Sequence, residues 1–170
     1  TDATGKELDD LAVNVKTTAD VFQTDYVDVL RATNALSKNF NITLEESSRL
    51  IDEFQMAGGL ITDDSIKQVE EYSSVLGDAN VKAEDLLTII ALSAKSGQFN
   101  DFGVDAFKEF SIRLNTDGKK IAAALKEIER QTGAVFADKL VNDVEKGAIG
   151  TTEALTVITK ELEKLPIKPQ

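Results

Sequence analysis

ITLEESSRLIDEFQMAG at residues 42–58 and VKAEDLLTIIALSAKSG at residues 81–97 lie 39 residues apart and follow one pattern. Each stretch has acidic side chains near its start, an apolar pair at the same offset, and a glycine at its end. Acidic side chains stabilise the first turn of a helix, and glycine readily adopts the left-handed conformation that ends one. The pattern predicts two helices of equal length that end at Gly58 and Gly97.

The similarity between the two stretches continues into the segments that follow them. Glu71-Tyr72-Ser73 aligns with Glu109-Phe110-Ser111 after a slip of one residue, again on a predicted helix after the glycine. The sequence therefore predicts two pseudo-repeated helical hairpins, in which neighbouring units together bury their apolar faces. Chance similarity between hairpins of similar length is the alternative, because Lys82 stands where the first copy has the helix-capping Thr43.

Apolar residues recur at steps of three and four from Leu8 to Leu165, and both prolines come after that point. This periodicity predicts an all-α bundle of eight to nine short helices with no sheet. The motifs divide the chain into an N-terminal helical pair (1–41), a duplicated helical-hairpin core (42–133) and a C-terminal helical extension (134–170), expected to form one compact unit cut from a longer chain.

Some positions carry more detailed predictions. Thr62, Asp63 and Asp64 indicate a loop before a short fourth helix, and Asp117 indicates a helix cap. A leucine-rich stripe near the C-terminus predicts either packing on the domain or a short coiled-coil seam; it consists of Leu155, Ile158, Leu162 and Leu165. The residues expected in the core are Phe22, Leu30, Phe54, Leu87, Ile90, Phe107, Phe110 and Leu125.

Composition excludes several classes of function. The 170 residues contain 30 acidic and 19 basic side chains, a net charge of −11, which repels nucleic-acid phosphates. The sequence has no Cys and no His, so thiolate and imidazole nucleophiles and the usual zinc ligand sets are excluded. The longest apolar run, at 86–94, is far shorter than the roughly 20 residues that cross a bilayer. We expect neither direct nucleic-acid binding nor a transmembrane segment.

Candidate sites for chemistry are few. Adjacent acidic pairs recur along the chain, among them Asp9-Asp10, Glu45-Glu46, Asp63-Asp64, Glu70-Glu71 and Glu84-Asp85. Neighbours on a helix point about 100° apart and do not converge on one ligand. Residues 115–118 resemble the start of a calcium loop, yet Lys126 stands where the loop needs an acidic residue. The phenylalanines between residues 99 and 110 could line a pocket, although their helical spacing favours core packing. We therefore predict no catalytic, cofactor-binding or metal-binding residues and no enzyme activity.

One segment resembles a known family. GQFNDFGVDAFKEFSIR at residues 97–113 is similar to a signature segment of bacteriophage tail tape measure proteins, and the order of the motifs before it also fits. Those motifs are the Asp20–Phe22 helix, Phe40 before Leu44-Glu-Glu, the run from Ile51 to Gly58, and Glu71-Tyr72-Ser73. The resemblance covers about residues 20 to 130.

The resemblance implies a structural role. A tape measure protein is a long helical polypeptide that occupies the tail tube during assembly, fixes the tail length and leaves ahead of the DNA. This chain would be one folded segment of it, without a cofactor, in the tail lumen of the virion and, during assembly, in the host bacterial cytoplasm. The implied partners are tail tube proteins, tail assembly proteins and tail assembly chaperones. The alternative is a helical adaptor or regulatory module that binds partner helices between its repeats.

Overall fold

Helices account for all regular secondary structure in the residues that the computed structural model describes, 5–58, 62–79, 81–96 and 100–165. Nine helices occur in these ranges, so the predicted all-α architecture is confirmed. They are α1 (Lys6–Phe22), α2 (Tyr26–Phe40), α3 (Leu44–Met56), α4 (Asp63–Asp78), α5 (Ala83–Ser96), α6 (Asn100–Thr116), α7 (Gly118–Thr132), α8 (Ala137–Glu145) and α9 (Thr151–Leu162).

The helix ends follow local sequence signals. The Thr43 hydroxyl accepts a hydrogen bond from the Glu46 amide at 3.0 Å, which satisfies one free donor at the start of α3. Gly58 and Gly133 have positive φ values of 73° and 75° just after α3 and α7, a conformation that glycine adopts without steric cost. Gly97, the predicted end of α5, lies outside the described residues.

The start of α4 differs from the sequence prediction. Thr62, Asp63 and Asp64 were predicted to form a loop, but α4 already begins at Asp63. The Thr62 hydroxyl accepts a hydrogen bond from the Ser65 amide at 3.1 Å and so caps the helix. Asp63 and Asp64 form the first turn, where negative charge is stabilised by the helix dipole. The helix has 16 residues and is not short.

The chain folds into two compact units. Unit 1 comprises residues 1–78 and 82–106, and unit 2 comprises residues 79–81 and 107–170. In unit 1, α2 packs against α1, α3 and α4, while α5 packs against α3 and α4. In unit 2, α7, α8 and α9 pack against one another. The division into 1–41, 42–133 and 134–170 follows the order of motifs along the chain and stays a prediction.

The core of unit 1 is built from aliphatic side chains. Leu87 and Ile90 of α5 have no exposed surface, as predicted. Phe22, Leu30 and Phe54 are only half-buried, so the prediction that they lie in the core is wrong. Smaller neighbours occupy the inner positions instead: Leu11, Val15, Ala19, Val29, Leu36, Leu50 and Ile51.

Buried hydroxyl groups allow helices to approach closely without unpaired polar atoms. Thr33, Ser47, Ser73 and Ser111 have no exposed surface, and each donates to the carbonyl oxygen four residues earlier in its helix. A hydroxyl paired in this way can be buried at little cost. A hydrophobicity pattern alone would assign these four polar residues to the solvent-exposed face of their helices, whereas the structure buries them.

Unit 2 has a second apolar core between α7, α8 and α9. Leu125 is buried there, as predicted, and Phe107 is 6% exposed, but Phe110 only packs against the edge of the core. The predicted leucine stripe of α9 does not share one buried face. Ile158 is buried beside Ala154, whereas Leu155 and Leu162 are 36% and 45% exposed.

Candidate interaction surfaces

The acidic pairs lie on helix surfaces. Asp9-Asp10, Asp63-Asp64 and Glu70-Glu71 are exposed, and Glu45 and Glu84 are exposed in the first turns of their helices. Within the described ranges, no three acidic side chains come close enough together to hold a metal ion. None of the helices described is both long and apolar enough to cross a membrane.

The turn before α7 does not use Asp117 as predicted. The Asp117 carboxylate contacts Lys120 Nζ at 3.2 Å and accepts no hydrogen bond from the α7 backbone, because residue 117 has a φ of −124° and a ψ of 33°. Close to this turn, the side-chain amide of Asn115 donates a hydrogen bond to the Ala79 carbonyl oxygen at 3.4 Å, and Thr151 Oγ1 donates to the same oxygen at 3.2 Å. These two bonds hold residue 79 within unit 2.

Thr18 and Asp52 form a polar contact between α1 and α3. Thr18 is 4% exposed, and its Oγ1 lies within hydrogen-bond distance of both the Asn14 carbonyl oxygen and Asp52 Oδ1. The Thr18 hydroxyl is the donor in both contacts, so its single proton is shared between the carbonyl oxygen and the Asp52 carboxylate. Burial raises the pKa of Asp52 above its ordinary value, and the hydrogen bond from Thr18 opposes part of this rise.

The hairpin of α7 and α8 contains a long-range cap that sequence analysis missed. Glu129 Oε1 accepts hydrogen bonds from the Phe136 and Ala137 amides at 2.5 and 2.7 Å, at the start of α8. A carboxylate from the preceding helix thus performs the role that a local Ser, Thr or Asp usually has. The only sequence signal is a glutamate in the last turn of α7, ahead of the Gly133 turn.

A shallow groove runs between α7 and α8. It has a volume of about 320 Å³ and a floor that includes Ala122 and Val141. Lys126 of α7 and Asp138 of α8 form an ion pair across it at 3.0 Å. Exposed ion pairs of this kind contribute little to stability, so the groove is held mainly by the apolar packing beneath it.

Exposed apolar side chains are concentrated near the N-terminus. Ten large apolar side chains are exposed in the described part of the chain, and five of them lie between residues 8 and 27: Leu8, Val13, Val21, Tyr26 and Val27. Tyr26, at the start of α2, is 39% exposed. Single exposed apolar residues are common, whereas a contiguous exposed apolar patch is typical of an interaction surface.

Taken together, these features define an all-helical protein that presents charged and apolar side chains on helix faces, and any partner would contact these faces. A family model described as phage-related minor tail protein matches residues 2–170. The chain belongs to this family. Membership indicates a structural component of a phage tail, associated with the virion and with other tail proteins. Neither the curated proteins nor the solved structures compared with this chain give a significant match.

Proposed function

We propose that this chain is a folded helical segment of a tape measure protein, taking part in tail assembly, tail length determination and genome delivery. Two observations support the proposal. The segment at residues 97–113 resembles tape measure proteins, and the family that matches residues 2–170 consists of phage tail proteins. The all-α architecture agrees in kind with a tape measure protein, although fold alone does not define function.

Within the tape measure protein, this segment acts as a station, by which we mean a folded segment whose reach along the tail does not scale with its residue number. It is not part of the ruler, the extended helical portion whose residue number sets the tail length. A continuous helix of 170 residues would span about 255 Å at about 1.5 Å per residue. The longest described helices have 17 residues, which corresponds to about 25 Å each. The observation that carries the proposal is that consecutive helices pack side by side within each unit, as α1, α2 and α3 do. The reach of such a fold does not grow in proportion to residue number.

The proposed location is the tail lumen, with assembly in the host cytoplasm. The proposed partners are tail tube and tail assembly proteins, including tail assembly chaperones. The net charge of −11 supports this environment, because an acidic segment does not hold DNA that follows it through the same tube.

An in-frame deletion of these residues from the phage genome, with electron microscopy of the tails, tests the proposal. The station predicts loss of assembly or infectivity, with surviving tails of near-normal length. As a control, deletion of 170 residues from an uninterrupted helical stretch of the same parent protein should shorten tails by about 255 Å.

Two results would contradict the proposal. Tails that shorten as much as the control would place the segment in the ruler. Tails normal in number, length and infectivity would make the segment dispensable for the tail and would favour a helical adaptor module.

A further inference from the structure

The side of α1 that faces away from unit 1 carries an aliphatic stripe. Val13, Thr17 and Val21 follow one another at steps of four residues, and both valines are 64% exposed. Residues at this spacing lie above one another on a helix surface. Thr17 Oγ1 donates to the Val13 carbonyl oxygen at 2.8 Å, so its hydroxyl is already paired within the helix.

Folding of the chain itself does not explain these valines. The face of α1 that packs on unit 1 consists of Leu11, Val15, Thr18 and Ala19, all of which are buried. Valine has a lower helix propensity than alanine, lysine or glutamate, and an exposed valine gains little from burial. Two exposed valines on one stripe therefore stabilise neither the helix nor the core.

Charged side chains lie beside the stripe. Asp9, Asp10 and Asp20 are exposed on the same side of α1, and we call these three residues with Val13, Thr17 and Val21 the α1 outer face. Asp20 pairs with Lys16 at 2.6 Å, whereas Asp9 and Asp10 have no ion pair with any residue that the structure describes. Lys6 and Lys16 are also exposed on this side, so three aspartates face two lysines, and the unpaired Asp9 and Asp10 leave a small excess of negative charge beside the stripe.

This charge pattern favours some binding partners of the α1 outer face over others. A second copy of α1 packed in parallel would bring Asp9 and Asp10 against the same residues of its partner, and an anionic lipid or nucleic-acid surface would also be repelled. A helix with aliphatic side chains flanked by lysine or arginine complements both the stripe and its charged border.

We propose that the α1 outer face binds an amphipathic helix of another protein, with an aliphatic stripe at i, i+4 and i+8 bordered by lysine or arginine side chains. The inference does not rest on the tape measure role, because it follows from α1 alone. It is tested on the purified chain, so its result is independent of the tail-length experiment.

Titration with a fluorescent synthetic helical peptide tests the inference. The peptide carries leucines at i, i+4 and i+8 bordered by lysines, and the control peptide has glutamate in place of each lysine. We expect saturable binding of the lysine peptide, loss of that binding at high salt, and no binding of the glutamate peptide. Nuclear magnetic resonance shifts should map the bound peptide to residues 9–21.

Matched variants locate the site. V13S/V21S should weaken binding of the lysine peptide by about tenfold or more, and D9N/D10N should reduce its salt dependence. L155S/L162S, which removes exposed leucines from α9, should bind like the parent. Circular dichroism should confirm that all variants fold, as expected for exposed positions.

Three outcomes would overturn the inference. The lysine peptide could fail to bind, V13S/V21S could bind it as tightly as the parent does, or the glutamate peptide could bind equally well. In addition, a dimer of the parent chain in analytical ultracentrifugation that V13S/V21S abolishes would assign the α1 outer face to a second copy instead.

Discussion

Replacing Gly77 by alanine tests how closely α2 and α4 pack in unit 1. A Cβ atom added at Gly77 would overlap the backbone carbonyl oxygen of Asn39, near the end of α2. Alanine is favoured over glycine inside a helix by about 0.8–1 kcal/mol, so an unhindered Gly77→Ala change would be stabilising. A backbone atom cannot rotate away as a side chain can, and forcing two packed helices apart costs about 1–3 kcal/mol.

We expect the steric term to exceed the propensity term, so that Gly77→Ala lowers the free energy of unfolding by about 1–2 kcal/mol. Urea unfolding followed by circular dichroism should show a midpoint lower by roughly 0.5–1 M. Ser74→Ala, at an exposed position of the same helix, is the control and should raise the midpoint slightly, because alanine has the higher helix propensity. A rise in stability of about 1 kcal/mol on Gly77→Ala would refute the close approach of α2 and α4.

The remaining predictions concern four other features. The free energy of unfolding should fall as pH rises from the ordinary aspartate pKa through the raised pKa of Asp52, because ionisation is disfavoured in the folded state. The difference in unfolding free energy between the parent and Asp52→Asn, measured across a pH series, should show this slope. Parallel curves of unfolding free energy against pH would contradict it. Glu129→Ala should lower stability by about 1–2 kcal/mol through loss of the α8 cap, whereas Glu129→Gln keeps an acceptor and should lose less; equal thermal melts of the parent and the alanine variant would contradict this. Phe110→Ala should cost about 1.5–2.5 kcal/mol in denaturant unfolding, less than a fully enclosed ring, and a larger loss would show that the ring is enclosed. Crystallographic superposition of residues 42–74 on 81–112 should show the same helix order and hand, and opposite hands would show that the sequence similarity arose by chance.

Local signals were sufficient to predict the helical architecture. Each of these signals lies within a few residues of the helix that it defines. They are the spacing of three and four between apolar residues, the Thr43 hydroxyl, and the glycines after α3 and α7. α3 and α5 begin at Leu44 and Ala83, which keeps the spacing of 39 residues seen in the sequence. Such signals do not depend on which helix packs against which.

Features that depend on tertiary contacts were not predictable from the sequence. Ser47 and Ser73 are buried because other helices pack over them, and the bond of each hydroxyl to its own helix lowers the cost of that burial. No hydropathy pattern reveals this. Glu129 caps α8 from the preceding helix, and the glycine at position 77 is required only because α2 passes close to it. In α9, helical spacing alone could not decide whether Leu155 or Ala154 faces the core.

The exposed valines of the α1 outer face illustrate the same limit. Val13 lies only two residues from the buried Val15, and both belong to one predicted helix. Hydrophobicity identifies both as candidates for burial, and only the packing of α1 on α2 and α3 separates the core residue from the surface residue. The candidate interaction surface therefore became visible only in the folded chain.

Tail length in a phage that carries two tandem copies of this segment is the most direct test of the proposed station. A tandem duplication retains one intact copy, so tails can still assemble and their length can be measured by electron microscopy. The station predicts tails within a small fraction of the parental length. Tails longer by about 255 Å, in proportion to the 170 added residues, would contradict it.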